Sequence, residues 1–178
     1  PQAEALLGYL QFKDSKLSYQ ERKAGIEQFA AAHKEMGTYD KVKEFVEQAT
    51  ANLDFVINAE AVKQGSEKLN SQLEGMKTIV RENKESNTGP DVALMLYFEN
   101  EVAPNYNQLK QDHADLTKKV KEKYGIQEGE NLKDLQANND PRISDPEAQK
   151  VVQAMVNMEA TLNAIGKLVD DIDRGHTT

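Results

Sequence analysis

The sequence predicts an all-α protein: an elongated antiparallel bundle of three to four long helices that run up and down and pack as in a coiled coil. Apolar residues make up only 38% of the 178 residues, yet they recur at alternating spacings of three and four, which places them on one face of a helix. Clear turn sequences separate the periodic segments. Thin apolar stripes favour narrow bundles, and short turns make neighbouring helices antiparallel.

Two helices are predicted in the N-terminal segment. The first starts at Ala3 and loses definition around residues 14–16. Its apolar stripe consists of Leu6, Leu7, Leu10 and Leu17. Residues 18–21 (Ser-Tyr-Gln-Glu) then form a capping box, whose hydroxyl and carboxylate satisfy free amides of the next helix. The stripe of that helix runs from Tyr19 to Met36, and Gly37 follows where a left-handed C-terminal cap is expected.

A third helix is predicted to begin at Asp40, whose carboxylate can cap it. Its apolar seam slips by one residue between Val56 and Leu69, at Gly65-Ser66. The segment is therefore either one helix of about 45 residues whose apolar face drifts around the axis, or two helices broken at the glycine. We favour one helix, straight or bent, because a lone glycine costs only about 1 kcal/mol relative to alanine.

A fourth helix follows the clearest turn of the chain, residues 85–90, with Pro90 as its first residue. It contains the most apolar stretch, residues 92–98, and ends at Tyr124-Gly125. Pro104 lies inside this helix. Because proline cannot donate the backbone hydrogen bond to the residue four positions earlier, it predicts a kink near Asn100.

A long loop, residues 125–145, with one or two helical turns at residues 131–136, is predicted to precede the last helix. Ser144 or Asp145 caps that helix, Pro146 is its first residue and Glu147 completes a capping box. The seam then alternates in steps of three and four without a fault: Ala148, Val151, Met155, Met158, Leu162, Ile165, Val169 and Ile172. At this length we expect one domain, residues 1–178.

Composition argues against several classes of partner. The net charge of -8 opposes attraction to nucleic acid and to anionic lipid surfaces, which need a positive field. No apolar run approaches the roughly 20 residues of a membrane-spanning helix, so we expect a soluble chain with no membrane insertion. The chain has no cysteine, which excludes disulfides and thiolate chemistry.

The compartment stays open, with a lean towards an extracytoplasmic bacterial protein that is periplasmic, surface-attached or secreted. A chain that starts at Pro1 suggests processing or trimming. A signal peptide or a lipid-attachment cysteine upstream would settle both the compartment and the tethering.

No catalytic, cofactor or metal motif is found in the sequence. A carboxylate-bridged metal bundle needs two Glu-x-x-His pairs on facing helices, and neither is present. The Asp173/His176 pair lies near the end of the chain. Residues 171–175 resemble half a calcium loop, yet they lack the third acidic ligand, the glycine and the closing glutamate. We therefore expect no cofactor and no enzyme activity.

His33 and His113 are the only histidines on apolar seams. If the second and fourth helices met at that level, the two imidazoles could share a metal or form a pH-sensitive pair that separates when both are charged. The alternative is that each lies at a seam edge with one nitrogen in water. The alternative is favoured, since two histidines alone make a poor metal site.

Residues 92–98 are apolar all around the helix, whereas an ordinary bundle helix has one stripe. Either this segment lies at the most enclosed level of the bundle, or it exposes an interaction patch. The candidate patch consists of Leu94, Leu96, Tyr97 and Phe98. The lysines at positions 118, 119, 121 and 123 fit a solvated helix end, where the dipole stabilises cations.

Two hypotheses about function are favoured over a third, an enzyme that uses glutamate and histidine without a recognisable motif, because no pattern in the sequence proposes a reaction. The first is a non-enzymatic interaction or scaffold module, the folded part of a tethered or secreted bacterial protein, with a protein partner or a second copy of itself. The second is a small-molecule carrier or sensor with a pocket between helices near Val92–Pro104.

Overall fold

The computed structural model describes residues 1–82 and 89–173, and it confirms the all-α helical-bundle prediction. Within these two ranges there is no β-strand. The helices are α1 (Gln2–Lys13), α2 (Tyr19–Glu35), α3 (Tyr39–Glu82), α4 (Gly89–Tyr97), α5 (Ala103–Lys123), α6 (Leu132–Ala137) and α7 (Pro146–Asp173). A π-helical turn, Phe98–Val102, joins α4 to α5, and a 3-10 turn, Pro141–Ile143, precedes α7.

The chain forms two compact units, residues 1–60 and 61–178. α3 begins in the first unit and ends in the second. The single domain and the coiled-coil packing expected from the sequence stay predictions. Most of the predicted turn at residues 85–90 lies outside the described residues. The Asp173/His176 pair and the half calcium loop lie partly outside them.

The first unit is built on a core between α2 and the N-terminal half of α3. The buried residues of this core are Ile26, Ala30, Val46, Ala49 and Leu53. The predicted capping box is confirmed: the Glu21 amide donates to the Ser18 hydroxyl at 3.1 Å, and the Ser18 amide donates to the Glu21 carboxylate at 3.3 Å. Gly37 has a φ of +72°, the left-handed conformation that the C-terminal cap requires.

α3 is one continuous helix of 44 residues that passes through Gly65 without a break, so the one-helix interpretation is confirmed. Its start differs from the prediction: Asp40 lies inside the first turn, where its charge favours the helix dipole, and is not the cap. Gly65 has a packing role, because a methyl group there would lie 3.1 Å from a terminal methyl carbon of Leu109 on α5.

The interruption predicted near Asn100 takes the form of the π-helical turn. The Ala103 amide donates to the Phe98 carbonyl oxygen, five residues back. α5 can then restart with Pro104 in its first turn, where the missing amide costs nothing.

α7 buries the predicted seam in the second unit, with Ala148, Met155, Met158 and Ile165 fully enclosed. Asp145 is its cap, since its carboxylate accepts from the Ala148 amide at 3.2 Å. The capping box predicted with Glu147 is wrong. Glu147 is only two residues after the cap, and its carboxylate lies 3.8 Å from the Lys123 ammonium.

Candidate functional site

α1 packs on α2 through its smallest side chains. A methyl group added to Gly8 would lie 2.6 Å from the Gly25 carbonyl oxygen and 2.7 Å from the Phe29 amide nitrogen. A methyl group on Gly25 would meet the Gly8 carbonyl oxygen at 2.7 Å. These distances are too short for any side chain, so the two backbones approach as closely as glycine permits.

Hydrogen bonds from side chains to backbone carbonyls fix this orientation of α1. Gln11 Nε2 donates to the Glu21 carbonyl oxygen at 2.7 Å, Arg22 Nε to that of Phe12 at 2.8 Å and Gln28 Nε2 to that of Glu4 at 3.0 Å. Each such bond contributes about 0.5–1.5 kcal/mol net. Together with the close glycine contact they determine which face of α1 is buried.

The opposite side of α1 presents an apolar surface to solvent. We call it the leucine face; it consists of Ala3, Leu6, Leu7 and Leu10, at helical spacings of three and four. The three leucines are 59%, 60% and 54% exposed. The sequence interpretation of these leucines as a packing stripe is therefore wrong, because the glycines allow a closer approach on the other side. Leu17 lies beyond the end of α1.

The apolar surface continues from α1 onto α3 through two aromatic rings. Tyr9 and Phe45 are both partly exposed, and their ring centroids lie 6.2 Å apart. Phe45 also contacts Phe12 and Phe29 edge-on, at 5.7 and 5.8 Å. The leucine face is thus supported by a packed aromatic cluster.

The candidate patch on α4 is rearranged relative to the prediction. Leu94 is fully buried, so its place in an exposed patch is corrected. Tyr97 and Phe98 are half-buried: the Tyr97 hydroxyl lies over Gly75, and the Phe98 ring meets the Tyr106 ring at 5.8 Å. Among the four predicted residues only Leu96 is largely exposed, at 55%. The residues that share its exposed face are Val92 and Met95.

His33 and His113 lie in different compact units, and each has its own polar neighbour. His33 Nδ1 lies 2.8 Å from the Thr38 hydroxyl, and its ring meets the Phe29 ring edge-on at 4.5 Å. His113 Nε2 lies 3.3 Å from the Met155 carbonyl oxygen. A carbonyl oxygen only accepts, so Nε2 carries the proton in that bond. The pH-sensitive pair stays a prediction.

A half-open cleft of about 260 Å³ lies in the second unit. One wall is the face of α5 that carries His113, Thr117 and Lys121, at successive intervals of four residues. Met155 and Glu159 of α7 form the opposite wall. The loop residues 128–132 close one side. The pocket predicted from the sequence lies elsewhere, near Val92–Pro104, and no sequence pattern indicated this cleft.

An ion-pair network holds that loop in place. The Arg142 guanidinium donates to both carboxylate oxygens of Glu130, at 2.7 and 2.9 Å, and to both of Asp140, at 3.0 Å each. The Gln127 amide also donates to Glu130, at 2.8 Å. The Arg142 hydrogen bonds, helped by that amide, lower the pKa of Glu130 to about 2, and they lower the pKa of Asp140 as well.

Tyr124 closes the end of α5 beside the same loop. Its hydroxyl is buried and has no hydrogen-bond partner among the described residues. Burial raises the pKa of Tyr124 to about 12, with a further contribution from the nearby carboxylates of Glu147 and Asp145. The phenol is therefore a neutral group at any physiological pH.

Within residues 1–82 and 89–173, no group of three histidine or carboxylate side chains is placed to hold a metal ion. No helix in the same part of the chain combines the length and the apolar character needed to cross a bilayer.

No protein-family model, curated protein or solved structure matches the chain.

Proposed function

We propose that this chain is a non-catalytic helical interaction module that assembles through the leucine face of α1. The observation that carries the proposal is that three leucines more than half exposed lie on a helix whose other side is already fixed by glycine packing and hydrogen bonds. A contiguous exposed apolar surface with a rigid support is typical of an interaction site.

The occupant we propose is a second copy of the chain, in antiparallel contact. A self-contact needs a self-complementary surface, and an apolar stripe fulfils that condition. The charged residues of α1 are Glu4 in its first turn and Lys13 in its last. Antiparallel alignment brings Glu4 of one copy to the same end as Lys13 of the other, whereas parallel alignment brings like charges together.

The energy available predicts a weak contact. Burying the exposed parts of six leucines, three from each copy, contributes about 5–10 kcal/mol, at about 1.5–3 kcal/mol for a fully buried leucine. Association costs about 4–15 kcal/mol in lost rotational and translational freedom. The gain and the cost are of similar size, so we expect at most a weak and reversible dimer, with a dissociation constant of about 1 μM or higher.

Sedimentation velocity at protein concentrations from about 1 μM to 1 mM tests the proposal in the range where such a weak dimer would form. We expect a concentration-dependent dimer for the wild type and a monomer for the Leu6→Asp/Leu10→Asp double variant. Both leucines are exposed, so the thermal midpoint of the dilute variant should match that of the wild type.

Leu96→Asp is the control, because it also places an aspartate on an exposed apolar face, that of α4. It should dimerise like the wild type. Loss of the dimer in Leu96→Asp but not in the double variant would move the contact to α4 and contradict the proposal. A wild-type chain that stays monomeric throughout the range would contradict it as well.

A further inference from the structure

The cleft in the second unit has groups of opposite charge at its two ends. Two contacts align α5 and α7 antiparallel: Lys123 with Glu147, and His113 with Met155. This alignment places Lys121 beside the first turn of α7. It places Glu159 beside the part of α5 that lies one helical turn before His113. Along the helix axes, the Cα atoms of Lys121 and Glu159 are separated by about 16 Å, at about 1.5 Å per residue. Both side chains line the cleft.

The ammonium at one end retains free hydrogen-bonding capacity. Lys121 Nζ donates one hydrogen bond to the Glu128 carbonyl oxygen at 2.9 Å. An ammonium has three N–H donors, so two remain for a ligand. The bond to the loop also holds the charge at a fixed position.

The carboxylate at the other end is half-buried and meets no donor among the described residues. This is Glu159 on α7. Its two oxygens are therefore available to accept hydrogen bonds from the ammonium group of a ligand. Glu130, which also lines the cleft, is different, because Arg142 and the Gln127 amide already occupy both of its oxygens.

Between the ends, the walls combine apolar and polar groups. Met155 and Leu132 are buried residues whose side chains supply apolar surface. The Thr117 hydroxyl donates to the His113 carbonyl oxygen at 2.7 Å, so its oxygen is left as an acceptor. The volume, about 260 Å³, lies just below the range of about 300–1,000 Å³ typical of drug-sized ligands.

We propose that this cleft binds an elongated zwitterion, with its ammonium group on Glu159 and its carboxylate on Lys121. The chemical class comprises ω-amino acids and short peptides, which share separated terminal charges and an apolar or amide spacer. The site is independent of the leucine face, since it lies wholly in residues 61–178.

Isothermal titration calorimetry on the whole chain tests the site with four probes: 6-aminohexanoate, triglycine, hexanoate and hexylamine. We expect at least one of the first two to bind at least about tenfold more tightly than hexanoate and hexylamine, which each lack one charge. Whichever of the two zwitterions binds more tightly shows whether the cleft prefers an ω-amino acid or a short peptide. No heat from either zwitterion up to about 10 mM, or equal binding of hexylamine, would overturn the proposal.

Two variants test the assigned ends separately. Glu159→Gln and Lys121→Gln should each weaken binding of the better zwitterion by at least about tenfold. Lys119→Gln and Glu122→Gln are the matched controls, since both residues are exposed on α5 and do not line the cleft. Unchanged affinity in both cleft variants would overturn the assignment. Because two different helices are altered, misfolding of one variant leaves the other to decide.

Discussion

At the scale of single residues, two glycines decide which surface of the first unit is exposed. Gly8 and Gly25 bring the backbones of α1 and α2 into direct contact. Backbone contact of this kind excludes every other side chain from the crossing point. The leucines on the far side of α1 are therefore left in solvent, which is the reverse of what their spacing alone predicts.

Gly8→Ala should destabilise the first unit. The added methyl group would lie 2.6 Å from a backbone oxygen, and overpacking of this kind costs about 1–3 kcal/mol. The higher helix propensity of alanine offsets about 1 kcal/mol of this cost. The free energy of unfolding should therefore fall by up to about 2 kcal/mol. Urea denaturation measures the change in the free energy of unfolding.

Gly129→Ala is the control for the glycine substitution. No atom lies within 4 Å of the added methyl group there, so the free energy of unfolding should change by less than about 0.5 kcal/mol. Equal effects of the two substitutions would show that the helices do not cross at Gly8.

The residue scale also shows the limit of the sequence-based prediction. The capping box at Ser18 and the left-handed Gly37 were predictable because both depend on neighbours within a few residues. The choice between the two apolar sides of α1 depends on Gly25, which lies 17 positions after Gly8 and on another helix. A glycine among leucines was the available clue, since it marks the side on which another backbone can approach.

At the scale of elements, local rules predicted most helices and missed the contacts between them. α3 is continuous through Gly65, and Pro104 lies in the first turn of α5, where its missing amide is tolerated. The Arg142 network was not predicted. The network joins Glu130 to Arg142, 12 positions further along the chain, and the spacing of apolar residues does not predict such a contact. The cleft beside the loop that this network holds was missed for the same reason.

The Arg142 network should make stability depend on acid pH. The pKa of Glu130 in the folded chain is about 2, below its ordinary value of 4.5. The unfolded chain therefore takes up the proton first as the pH falls. The stabilisation is complete above pH 4.5 and is lost as the pH falls from 4.5 to about 2.

Glu130→Gln removes this contribution. We expect a lower urea midpoint at pH 7 and a shallower decline between pH 4.5 and 2 than in the wild type. Glu128→Gln removes the same charge from an exposed neighbour and should leave the decline unchanged. If Glu130→Gln followed the wild-type curve throughout, the network would not stabilise the loop.

At the scale of the whole molecule, the all-α class was predictable because helical periodicity runs through almost the entire chain. The candidate site was not predictable, because it exists only where the packing of the helices leaves an apolar stripe unburied. Among the predicted patch residues, Leu96 is exposed and Leu94 is buried. In the proposed function, the contacts of the chain depend on which apolar faces the packing leaves open. The leucine face of α1 is the face that we propose as the contact between two copies.

A cysteine cross-link at Leu7 is the most direct test that two leucine faces meet. The chain has no cysteine, so a single Leu7→Cys substitution can form a disulfide only between copies. Leu7 lies near the middle of the leucine face, where an antiparallel twofold contact brings a residue close to its own counterpart.

Under mild oxidation we predict that Leu7→Cys forms covalent dimers at least about tenfold faster than Ala24→Cys, because the contact raises the effective thiol concentration. Ala24 is also exposed, but it is on α2 and is not part of the leucine face. Equal rates for the two variants would contradict the self-association of this chain through α1.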